Sequence, residues 1–157
     1  MIPAALASGS AITALDLGNS LLDGRRHNRF RGAAIAPLLE ALPSSSVVEL
    51  CLRGCGLDQG SEICLVAALA TAGSRLTLCD LSNNPLGSAA GPVTAALVCA
   101  PPASTPTPLR AVFADIQLDD GGAAVLAQAL RGSERPLSLL DLFGNPLADA
   151  GAGSLLE

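Results

Sequence analysis

The chain has 157 residues, enough for one domain with a proper core and too few for two. Half of them are apolar but only 2% are aromatic, so a core has to be built from Leu, Ala, Val and Ile at many similar positions. Arg25, Arg26, Arg29 and Arg31 against Asp23 give residues 23–32 a charge of +3, which leaves −8 of the total −5 on the rest, an acidic body that offers nucleic acid little phosphate-tracking surface.

In chain order, "AALASGSAITALDL" (4–17) parallels "AALATAGSRLTLCDL" (67–81), so the sequence opens inside the tail of a helix and enters a strand near Ile12. No basic residue precedes Arg25, so the positive flank of a secretory signal is missing, and the expected setting is cytoplasmic. No apolar run reaches the roughly 18–20 residues of a membrane span. The basic insertion "DGRRHNRFRG" (23–32) follows, then "AAIAPLLEAL" (33–42), whose apolar residues recur at three and four and predict a helix with Pro37 in its first turn. "VVELCLRGCGL" (47–57) predicts a strand and turn, "SEICLVAALA" (61–70) a helix, "LTLCDLSNNPL" (76–86) a strand and turn, and the stretch around Pro92 a helix. The Pro-rich "CAPPASTPTP" (99–108) reads as an extended spacer. "LRAVFADIQL" (109–118), "GGAAVLAQAL" (121–130) and "LSLLDLFGNPL" (137–147) continue the alternation, and "GAGSLLE" stops inside a last helix.

The strand segments share one template, L-x-x-L-x-L-x-x-N-x-L. Cys79 replaces one Leu, Cys55 and Ser20 stand in the Asn place, and the copy at 109–118 is one residue short, with the gap expected before Leu118. Units start at Ile12, Val47, Leu76, Leu109 and Leu137. At these residues the chain resembles leucine-rich repeats of the ribonuclease-inhibitor type, as found in Nod-like receptors and Ran GTPase-activating proteins, and the likeness covers almost the whole sequence. It implies an α/β solenoid, a horseshoe with a curved parallel sheet on the concave face and helices on the convex face. One strand–helix unit cannot bury its apolar stripe alone, whereas stacked units share a continuous core. Leu15, Leu17, Leu50, Leu52, Leu81, Leu140 and Leu142 are expected inside, and the Asn84 and Asn145 amides are expected to satisfy backbone groups that the turn would bury. Neither end carries an obvious polar cap, so the sequence reads as a fragment of a longer array or as a chain docked at its ends.

Catalysis has little to build on: one His, no phosphate-binding Gly-Lys loop and carboxylates spread along the units. Five Cys without a C-x-x-C pair imply free thiols, no zinc and no disulfide framework. No cofactor is expected. What remains is a non-catalytic protein-binding module or scaffold, including the leucine-rich subunits of large assemblies such as ciliary ones, with a protein partner, no nucleic acid and no membrane. On the expected register the outward strand positions are Asp16, Glu49, Cys51, Arg53, Asp80, Phe113, Asp115, Asp141 and Phe143, a mildly acidic strip with two aromatics. The basic loop reads first as an exposed, solvated insertion without core duty; as a second candidate surface, its Arg25, Arg26, Arg29 and Arg31 suit carboxylate or phosphate and Phe30 could anchor a partner. The alternative function, implied by the likeness to Ran GTPase-activating proteins, is a GTPase-activating regulator that uses an Arg of this loop.

Overall fold

The structure is a computed structural model that describes residues 11–19, 28–101 and 107–156. Arg25, Arg26 and Ser20 therefore lie outside the described residues, as does half of the Pro-rich spacer, 102–106. Five strands, β1 (Ala14–Asp16), β2 (Glu49–Cys51), β3 (Leu78–Asp80), β4 (Leu109–Val112) and β5 (Leu137–Asp141), form one parallel sheet in sequential order. Parallel neighbours need a crossover. Helices α1 (Ala36–Ala41), α2 (Glu62–Ala72), α3 (Ala90–Val98) and α4 (Asp120–Gly132) supply it, and α5 (Asp149–Leu156) follows β5. Short 3₁₀ turns lead into the first three, at Gly32–Ile35, Gln59–Ser61 and Gly87–Ala89. Asp119 caps α4 by accepting from the Gly122 N–H at 2.8 Å, and Pro37 sits in the first turn of α1, where a missing N–H is tolerated.

The core lies between one face of the sheet and the helices. Leu50, Leu52, Cys79 and Leu81 from the strands meet Leu39, Leu65, Leu69, Val93, Leu97 and Leu126 from the helices, all fully buried. Leu15 and Leu17 on one outer strand, and Leu140 and Leu142 on the other, also point into this core but are half-buried, since among the described residues each has a neighbouring strand on one side only. The helix starts pack so closely that a side chain would not fit. A Cβ on Gly91 would lie 2.8 Å from the Gly122 Cα, and one on Gly60 would lie 2.9 Å from the Gly32 Cα.

The Asn place does what its chemistry suggests. Asn84 is fully buried, donates to the Leu52 and Leu81 carbonyls at 2.9 and 2.7 Å, and accepts from the Leu57 N–H at 3.0 Å. Asn145 repeats the pattern one unit further, donating to the Phe113 and Leu142 carbonyls and accepting from the Ile116 and Leu118 N–H groups. Cys55, in the same place of the second unit, gives its S–H to the Leu17 carbonyl at 3.2 Å.

The fourth unit corrects the expected register. Phe113 does not face outward: it is fully buried, with Ala111 as its partner inward position. The missing residue lies at the start of β4, where Leu109 pairs with Leu137 and the next residue, Arg110, pairs with Leu139, so that Ser138 bulges. Its hydroxyl donates to the Leu109 carbonyl at 3.3 Å. Burying Phe113 removes far more apolar surface from water than burying Val112 or Ala114 would, and full burial of a Phe is worth roughly 1.5–3 kcal/mol. Asp115, expected on the strand, sits in the following turn with φ of 53°, where Gly54 and Gly144 hold the equivalent place.

Two guanidiniums clamp the loops that leave the helices. Arg75 donates to the Pro43 and Leu42 carbonyls at 2.8 and 3.0 Å. Arg135, 7% exposed, donates to the Leu97 carbonyl at 3.0 Å and to that of Leu76. Burial pulls the Arg135 pKa below the usual guanidinium value.

Candidate functional site: the free sheet face and the basic loop

The face of the sheet turned away from the core carries side chains in lateral rows set by the strand register. One row runs Ala14, Glu49, Leu78, Arg110, Leu139, and the next Asp16, Cys51, Asp80, Val112, Asp141. Beyond the strands, Arg53 and Phe143 stand on the same face two residues further along their chains. Asp16, Glu49, Arg53, Arg110 and Phe143 are exposed, while Asp80, Val112 and Asp141 are half-buried. Four carboxylates thus face two guanidiniums, and the end at β5 is apolar, with Leu139 38% and Phe143 77% exposed.

Three of the carboxylates are tied down. Asp16 accepts from the Gly18 N–H at 2.8 Å, Asp80 from the Ser82 N–H at 2.9 Å, and Asp141 from the Phe143 N–H at 3.0 Å. The recurring Asp closes a turn two residues on, which gives it a local structural duty. Between Asp16 and Asp80 sits Cys51, whose thiol lies 3.9 Å from an Asp80 oxygen. Burial first, and then the two carboxylates, push this thiol up to about 11, so it is protonated at neutral pH and a poor nucleophile. All five Cys are free, and among the described residues no group of three His, Cys, Asp or Glu side chains could hold a metal ion. No helix among them is long and apolar enough to cross a membrane.

The described part of the basic loop, Asn28 to Gly32, is held at alternate residues. The Asn28 N–H donates to the Asn19 side chain at 2.9 Å, the Phe30 N–H to the Cys55 carbonyl at 2.8 Å, and the Gly32 N–H to Asp58 at 3.1 Å. Phe30 is half-buried and packs on the core, which corrects its reading as a free anchor: the ring holds the loop to the body of the protein. Arg29 and Arg31 remain exposed and line a polar cleft of about 360 Å³ with the turn residues Gly54, Gly56 and Asn83.

No family model matches this chain, and no curated protein sequence matches it. Its surfaces have to be read from their own geometry. Of the residues expected on the sheet face, Asp16, Glu49, Cys51, Arg53, Asp80, Asp141 and Phe143 share it, Phe113 does not, and Asp115 has moved to a turn. Leu78, Arg110, Val112 and Leu139 were missed. The signal was present in the column of Glu49, since the second x of L-x-x-L falls on Ala14, Leu78 and Leu139 as well.

Proposed function

We propose that the chain is a leucine-rich-repeat module of the ribonuclease-inhibitor type, an open solenoid that binds a protein partner across the free face of its sheet and performs no chemistry itself. The observation that carries this reading is the β5 end of that face, where Phe143 and Leu139 are exposed beside Arg110 and Asp141. A large exposed aromatic at an apolar end of an otherwise charged face has the make-up of an interface hot spot. The short parallel strands and the Asp-closed turns hold the row rigidly, which lowers the ordering cost of association. The carboxylates on the β1 to β3 side suit a partner with basic groups next to an apolar pocket. The module acts in the cytoplasm, where exposed thiols such as Cys99 stay reduced.

The test places a photocrosslinking side chain at position 143 and, as a comparison, at the exposed helix position 125. Crosslinks to one partner from 143 alone, lost on competition with wild-type chain, are expected. Phe143→Ala should then weaken binding of that partner by at least about 10-fold with an unchanged melting temperature. Equal crosslinking from both positions would refute the sheet face as the surface. The second reading, a GTPase-activating regulator, draws on the outward setting of Arg29 and Arg31. Faster GTP turnover by a small GTPase in the presence of the chain, abolished by Arg29→Ala or Arg31→Ala, would replace the non-catalytic reading.

A further inference from the structure

The basic loop carries a site of its own. The chain has nine Arg and no Lys, and among the described residues Arg75, Arg131 and Arg135 are spent on backbone, donating to carbonyls. Arg29 and Arg31 are used differently. Residues 28, 30 and 32 donate their N–H groups to the Asn19 side chain and to the second unit, so the backbone between them is fixed. Phe30 turns into the core, and in such an alternating segment its two neighbours project to the opposite side. Arg29 and Arg31 therefore line one cleft, whose other wall is formed by Gly54, Gly56 and Asn83. Gly56 has φ of 71° and no side chain to fill the space beside Arg29. Among the described residues, Asp58 is the one carboxylate on the lining, and one of its oxygens accepts from the Gly32 and Gly60 N–H groups at 3.1 and 3.0 Å. Among those residues, two forked cations thus face one carboxylate.

We propose that this cleft binds a phosphate monoester dianion, with Arg29 and Arg31 as its two ligands and the Asn83 carboxamide as a further donor. A guanidinium offers paired N–H groups that match two phosphate oxygens, and two of them on one rigid segment neutralise the dianion. Carboxylates fit the same fork but bring half the charge, so the dianion is preferred. The site is separate from the free sheet face, and its failure would leave that reading intact.

The experiment uses the purified chain and inorganic phosphate as the probe, followed by amide NMR at constant ionic strength. Saturable shifts at Arg29, Arg31 and Gly56, not reproduced by chloride, are expected. Arg29→Ala and Arg31→Ala should each weaken phosphate binding by roughly 10-fold or more, as loss of a charged hydrogen bond does. Arg29→Lys should fall in between, because it keeps charge and loses the fork. Arg131→Ala should bind phosphate like the wild type. Melting curves of all four variants check that the fold is retained. A phosphoserine peptide, with its unphosphorylated twin as control, distinguishes the source: tighter binding than inorganic phosphate assigns a protein-borne group, and equal or weaker binding a free one. Non-saturable shifts with both probes, or wild-type affinity in the Arg29→Ala and Arg31→Ala variants, would overturn the proposal.

Discussion

Asn84→Ala tests the reasoning where it is most exposed. The side chain is fully buried and serves two units at once, accepting from the Leu57 N–H and donating to the Leu52 carbonyl of the preceding unit as well as to Leu81 of its own. Truncation leaves Leu57 N–H and Leu81 C=O without that partner where water does not reach, while Leu52 C=O keeps the Cys55 N–H at 3.3 Å. A buried unsatisfied group costs about 1–3 kcal/mol, so the loss should be about 2–6 kcal/mol. Asn145→Ala removes the same kinds of bond, to Ile116, Leu118 and Phe113, but Asn145 is half-buried and water can take over some of them. Its cost should stay below about 2 kcal/mol. Asn84→Cys should fall between wild type and Ala, because Cys55 in the equivalent place still donates to a carbonyl. Equilibrium unfolding in urea, with the m-value checked for constancy, measures all three. A loss below about 1 kcal/mol for Asn84→Ala, or an equal loss for Asn145→Ala, would refute the claim that burial of these bonds sets their worth.

Phe113→Ala should destabilise the fold by about 3–5 kcal/mol, and Phe143→Ala, measured in the same denaturant series, by less than about 0.5 kcal/mol; equal losses would mean that the β4 register is wrong. The alkaline limb of stability belongs largely to the thiols, since the chain has neither Lys nor Tyr. Burial pushes Cys79 up to about 12, and Cys51 and Cys55 up to about 11, from 9.0. The unfolded chain therefore loses these protons first: stability is fully present below pH 9 and declines above it, with Cys79 contributing a slope of up to about 1.4 kcal/mol per pH unit. Melting temperatures from pH 8 to 11 should show the fall, and Cys79→Val should make it shallower.

The alternation of strand and helix was legible because it rests on counting. Where the template keeps its full length, at 47–57, 76–86 and 137–147, strands β2, β3 and β5 lie where expected and Leu50, Leu52 and Leu81 are fully buried. The fourth unit defeated the count. A pattern can place a one-residue gap anywhere between its fixed points, and only pairing with β5 puts it at Leu109, with Ser138 absorbing the difference. Phe30 was misread for a related reason. Its place in the core depends on the Cys55 carbonyl, 25 residues further on, to which its own N–H is bound. Similarly, nothing local distinguishes Asp80 as a turn-closing group from a free carboxylate until the Ser82 N–H is seen 2.9 Å away.

Arg135 changes how the molecule should come apart. Helices touch their immediate successors, strands likewise, and a stack built that way can melt piecemeal from either end. The Arg135 side chain reaches past its neighbour. It leaves the loop before β5, takes the Leu97 carbonyl at the end of α3, and continues to Leu76, ahead of β3. One guanidinium therefore makes the loss of the last strand a matter for a unit two steps away. Among the described residues, this buried cation thereby couples the approach to β5 with the approach to β3, a link beyond nearest-neighbour stacking that should make the segment from Leu76 onward melt more cooperatively.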